Sequence, residues 1–93
     1  FPEAINYFNR SIELSKYNRQ IAADAHYWRG ETYYRQGEWE KAKRDFQTYQ
    51  QQTLQKGTQM YALSEYNLGY ILFREKQYVL ALHASPLCLF LLF

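Results

Sequence analysis

Trp39-Glu40-Lys41-Ala42-Lys43-Arg44-Asp45-Phe46 decides the fold, because its pattern of ring, alanine three residues on and ring four further also stands at Phe1, Ala4 and Phe8. The pattern starts a third time at Tyr78 and Ala81 and fails at Ser85. Self-similarity at a near-constant period marks a repeat protein. The segments between agree with it. Ala23, Tyr27, Gly30, Tyr33, Tyr34 and Arg35 line up with Ala62, Tyr66, Gly69, Leu72, Phe73 and Arg74 under the single shift that carries Gly30 onto Gly69.

Spacings of three and four residues predict helices throughout, and no stretch alternates like a strand for more than four residues. The first helix runs from Pro2 to about Ser15 with Ile5, Phe8 and Ile12 on one stripe. Pro2 suits a first helical turn, and Glu3 is favourable beside the positive end of the dipole. A second runs from about Gln20 to Arg35 and stops at Gly37, and a third from Glu38 to about Gln52 carries Trp39, Ala42, Phe46 and Tyr49. Lys56-Gly57-Thr58 breaks the run. A fourth is expected from about Gln59 to Arg74, with a short fifth beginning near Gln77. Gly30 and Gly69 each cost a helix about 1 kcal/mol relative to alanine. A close helix contact would offset that, and the natural pairs are Gly30 with Ala42 and Gly69 with Ala81.

The 93 residues, 47% hydrophobic, suffice for one small core and not for two domains. Ten Tyr, two Trp and six Phe place much of the burial in rings with a polar tip. A net charge of +2 gives no reason to expect a polyanionic partner. Lys41, Lys43 and Arg44 alternate with Glu38, Glu40 and Asp45, which reads as a solvated helix face. Cys88 is the one cysteine, so no internal disulfide can form, and no cationic neighbour would activate it.

Gly30, Tyr33, Gly37, Trp39, Ala42 and Phe46 resemble the tetratricopeptide repeat (TPR) pattern in order and spacing. Gly69, Leu72, Tyr78 and Ala81 repeat it, and Phe1, Ala4 and Phe8 look like the second helix of a repeat whose first is missing. The resemblance reaches almost to Ala84. It implies an all-α protein of antiparallel hairpins stacked as an α-solenoid, about two and a half repeats and five helices. The expected divisions are 1–18 for a partial repeat, 19–57 and 58–85 for repeats, and 86–93 for an atypical apolar tail. The period exceeds the family's usual 34 residues, which is expected to lengthen helices or the connectors near 17–20 and 52–58. Ala23 to Tyr34 is similar to the subset in bacterial envelope proteins, which implies a bacterial source and an envelope or periplasmic setting. The chain begins inside a motif, so it is expected to be a fragment of a longer protein.

Enzyme signatures are missing: there is no Gly-rich phosphate loop, His-Glu-x-x-His, Cys-x-x-Cys or serine elbow in the sequence. His26 and His83 lack companions at ligand spacing and read as ordinary surface or edge residues, so no metal or cofactor is expected. The resemblance instead implies binding in a concave groove lined by the first helix of each hairpin. The family's groove positions fall on Tyr27, Glu31, Tyr34 and Arg35, and on Tyr66, Asn67, Tyr70, Phe73 and Arg74. The expected ligand is a peptide or protein segment, because Tyr and Arg concentrate binding energy. Against this stands the plainer reading that Tyr27 and Tyr66 only fill the seam between hairpins. The family's carboxylate clamp is not expected: Tyr27, Glu31 and Leu63 replace its polar groups, and only Asn67 fits.

Two other functions fit less well. Stacking of single-stranded nucleic acid on the tyrosines would call for a basic stripe that this sequence lacks, and the third possibility is a purely structural spacer between other domains of a longer chain. In the tail, Pro86 cannot continue a helix interior and Leu87 to Phe93 is unbroken apolar sequence. It is far too short for a bilayer span, which needs about 20 residues. A cap on the last hairpin, a strand shared between chains and an artefact of truncation or reading frame are its three readings. Self-association through the two open ends is expected.

Overall fold

A computed structural model describes residues 1–14 and 18–84. Four helices form: α1 (Pro2–Leu14), α2 (Arg19–Gln36), α3 (Trp39–Gln52) and α4 (Gln59–Ala84). Among the described residues there is no strand. The tail 86–93, with Cys88 and its three readings, lies outside the described residues.

Local chemistry sets the ends. The Ile21 N–H donates to Asn18 Oδ1 (3.1 Å), starting α2 with a side-chain cap. Gly37 ends it at φ 77°, a left-handed conformation that costs a Cβ-bearing residue about 1–2 kcal/mol. There the Glu38 N–H donates to Tyr33 O at 2.9 Å and the Gly37 N–H to Tyr34 O at 3.1 Å, satisfying carbonyls the helix leaves open. Thr58 caps α4 by accepting from the Tyr61 N–H (3.2 Å). At the far end of the α2–α3 hairpin, Arg19 donates to Gln52 O (2.8 Å) and Gln51 O (3.0 Å), and Gln20 donates to Thr53 Oγ1 (3.0 Å).

The core lies mainly between α2 and α3. Ala23, Tyr27, Ala42, Phe46 and Tyr49 are buried there, joined by Ile71 from α4. Tyr27 meets Phe46 and Tyr49 with ring centroids 5.9 and 5.3 Å apart, and Tyr34 meets Phe46 at 6.3 Å. Such ring pairs each add about 0.5–1.5 kcal/mol beyond the area they bury.

Three expectations need correction. The fifth helix does not exist as a separate element, because α4 runs unbroken for 26 residues through the place where the chain was expected to turn. The shift that carries Gly30 onto Gly69 carries Gly37 onto Lys76, so the left-handed stop is lost, and Arg74, Glu75, Lys76 and Gln77 all favour helix. Gly69 and Ala81 therefore share one helix and cannot pair, and nothing lies within 4 Å of where a Cβ on Gly69 would be. Gly30 does make a close contact, but one turn beyond the expected Ala42: its Cβ would stand 3.0 Å from Asp45 Cβ and 3.1 Å from Phe46.

The charged face of α3 is the third correction. Asp45 is buried, and it accepts from Arg29 Nε (2.7 Å) and Arg29 Nη2 (2.6 Å), with His26 Nδ1 at 3.1 Å. Burial alone would raise the Asp45 carboxyl, but the bonds from Arg29 and His26 outweigh it and hold it below its ordinary value. The same bond pushes the Arg29 guanidinium up. Lys43 is engaged as well, donating to both Glu75 carboxylate oxygens at 2.9 and 3.2 Å and linking α3 to α4. That bond raises Lys43 and lowers Glu75. His26 is thus a half-buried partner of Asp45 and not a simple surface residue.

Candidate interaction surface

Where α2 meets α4, the nine expected groove residues fall into three groups. Tyr27 is inside, 2% exposed between Phe46 and Tyr49, and burial raises its phenol. Its ring is therefore not open to a ligand. Tyr27 packs inside its own hairpin, against α3 (Trp39–Gln52), and not in a seam between neighbouring hairpins.

Glu31, Asn67, Tyr34, Tyr70 and Arg74 are brought together. Glu31 accepts from Arg35 Nε and from the buried Asn67 Nδ2, each at 3.2 Å, which ties the two helices. Asn67 is thereby committed to a neighbouring carboxylate, the reverse of a site for a free acidic terminus. Tyr34 lies 5.3 Å from Trp39 and 6.1 Å from Tyr70, and partial burial raises its phenol. Arg74 lies over the Trp39 ring, 4.6 Å from its centroid, and 5.9 Å from that of Tyr70. A guanidinium over a ring contributes about 0.5–1 kcal/mol at an exposed site, so this stack fixes the arginine without immobilising it fully. Arg35 is exposed beside Glu31.

Tyr66 and Phe73 form the third group. They are 73% and 57% exposed, on the stripe of α4 that also holds the open Gly69. The shared shift makes them counterparts of Tyr27 and Tyr34, on a helix against which no second hairpin arm packs among the described residues.

Two open clefts border Arg74. One, about 420 Å³, is floored by Trp39, Ile71, Tyr78 and Val79 with Glu40 and Glu75 at its rim; the other, about 440 Å³, runs along Tyr70, Phe73, Gln77, Tyr78 and Ala81. Their floors are apolar and their edges mixed in charge, a surface suited to an apolar segment with a polar flank.

Residues 23–52 match the tetratricopeptide repeat family model. The chain carries a tetratricopeptide repeat. The match begins at the buried Ala23 and ends with α3, so it covers the hairpin that the structure forms in full. Comparison with curated proteins and with solved structures finds no match. Repeats of this family generally mediate protein–protein interactions and are generally non-catalytic. Among the described residues no cluster suits a metal ion, and no helix is long and apolar enough to cross a membrane.

Sequence reasoning placed Trp39 on the packing stripe as the repeat's first ring and missed that, half-buried against the core, it also lines the cleft beside Arg74. Only its contact with α4 reveals the second role. It also missed the Asp45 cluster, for which a signal existed: His26 and Arg29 stand three residues apart and so share a helix face.

Proposed function

We propose that the chain is a protein-interaction module, part of a tetratricopeptide α-solenoid, and that a partner segment docks along α2 and α4 over Tyr34, Trp39, Tyr70 and Arg74. The observation that carries this reading is the Arg74 guanidinium held between the Trp39 and Tyr70 rings at the margin of two open apolar clefts. Arg and Trp are among the residue types that dominate binding energy at protein interfaces, and here an exposed Arg74 lies over a half-buried Trp39. Arg35, Glu31 and Asn67 extend the same surface along α2 and α4. A peptide carrying an apolar side chain for the Trp39–Val79 cleft, with a carboxylate near Arg74, fits this chemistry best. Its acid is directed by one cation, not by a set of amides as in a terminal-carboxylate clamp.

The test is selection of binders from a random peptide library on the folded chain, followed by titration against Tyr70→Ala and Arg74→Ala. Each should weaken the selected peptides at least about tenfold, the usual scale for a truncated anchor, with unchanged far-ultraviolet circular dichroism. Peptides that bind both variants as tightly as the parent chain would place the site elsewhere.

A further inference from the structure

We propose that copies of this chain join head to tail, the outer stripe of α4 on one copy seating in the cleft between α1 and α2 of the next. The inference starts from two helices that carry the same face in different states. On α2, Tyr27, Gly30 and Tyr34 are all covered by α3: Tyr27 by Phe46 and Tyr49, Gly30 by Asp45 and Phe46, Tyr34 by Trp39. Their counterparts on α4 are Tyr66, Gly69 and Phe73, at identical spacing and therefore also on one face. Among the described residues nothing covers that face: the two rings are more than half exposed and space is open at Gly69.

What covers the face on α2 is a helix with the signature Trp39, Ala42, Phe46. Two other segments carry that signature. Tyr78 and Ala81 cannot serve their own α4, because they lie on the same rod, with Ala81 about 18 Å along the axis from Gly69. The complete signature is on α1, as Phe1, Ala4 and Phe8. Phe1 is 62% exposed, and these three residues line an open cleft of about 320 Å³ with Trp28, Glu31 and Thr32 of α2. That cleft runs along the signature face of α1, as α2 runs along the signature face of α3.

A second relation agrees independently. Within one chain α2 touches α4 through Glu31 with Asn67 and Tyr34 with Tyr70. Carried forward by the repeat shift, those contacts become Tyr70 of one copy beside Trp28 of the next, and Phe73 beside Glu31. Trp28 and Glu31 both line the cleft. One seat thus satisfies the hairpin relation and the neighbour relation at once. The helix types then alternate without interruption from copy to copy, and since donor and acceptor surfaces differ, the contact is heterologous and open-ended.

The test uses the full chain in sedimentation velocity and light scattering over a range of concentrations. Gly69→Glu places a charge in the α4 stripe where the chain has open space, and Ala4→Glu places one in the α1 cleft at a first-turn position that favours acid. The parent chain should grow beyond a dimer with concentration, and each variant alone should stay monomeric. An equimolar mixture should stop at a dimer, because one open face remains on each copy. If Ala4→Glu loses helix by circular dichroism, Phe1→Glu replaces it. A parent chain that is monomeric throughout, association unaltered in both variants, or an α1 variant that still dimerises on its own would each overturn the proposal.

Discussion

Replacing each mid-helix glycine by alanine separates packing from propensity, because the same atom is added to the same kind of backbone at Gly30 and Gly69. Alanine should stabilise either helix by about 1 kcal/mol if nothing else changes. At Gly69 nothing else does, since a Cβ there meets no atom within 4 Å. At Gly30 the new Cβ stands 3.0 Å from Asp45 Cβ and 3.1 Å from two Phe46 ring atoms. Neither neighbour yields readily: Asp45 is held by Arg29, and Phe46 is fully buried. Overpacking of this kind costs about 1–3 kcal/mol. Propensity cancels in the comparison, so Gly69→Ala should exceed Gly30→Ala in stability by that steric cost alone. For a domain this size the gap corresponds to roughly 4–8 °C in Tm per kcal/mol. Thermal unfolding followed by circular dichroism, at a concentration low enough to keep the chain monomeric, measures it. Equal gains from both substitutions would mean that Gly30 is not in close contact with α3 and that the hairpin packing is wrongly described.

Asp45→Ala should destabilise by about 3 kcal/mol in urea unfolding, because it leaves the partly buried Arg29 without its carboxylate. The lowered Asp45 carboxyl adds a pH dependence. A group whose folded-state value is depressed stabilises above its unfolded value, about 3.9, and loses that contribution as pH falls further through the folded value. Urea midpoints at pH 5 and pH 2.5 should therefore differ more in the parent than in Asp45→Asn. Gly37→Ala should cost about 1–2 kcal/mol through its positive φ, read as a lower Tm, whereas Lys41→Ala on the exposed face of α3 should stay within about 0.5 kcal/mol. Lys76→Gly should lower helix content, since it restores inside α4, about two thirds of the way along, the residue that ends α2.

Three helices and the start of the fourth were legible because their information is local. Gly37 and the break at Lys56-Gly57-Thr58 act within a turn of themselves, and the stripe of Trp39, Ala42, Phe46 and Tyr49 needs only its own spacing. The fifth helix was misread because the signature at Tyr78 and Ala81 persisted while the turn residue did not; a repeat can keep its packing positions and lose its stop. Gly30 was rightly singled out as a contact, but the helices' relative offset, which selects Asp45 over Ala42, is a tertiary quantity with no local signal. Of the expected groove residues, Tyr70 and Arg74 lie on the surface beside Tyr34, Tyr27 is buried, and Tyr66 and Phe73 are exposed on α4, because a ring's exposure depends on which neighbour arrives to cover it.

The continuity of α4 underlies both the open stripe and the placing of Arg74 against Trp39, and one distance tests it. Spin labels on cysteines at Ala62 and Leu82, with Cys88 changed to serine, report the separation by pulsed electron resonance at low protein concentration. A straight helix places these positions about 30 Å apart. A turn near Lys76, folding the chain back at a helix spacing of about 8–10 Å, would bring them to roughly half that distance. The account predicts the longer distance, and a distribution centred on the shorter one would contradict it.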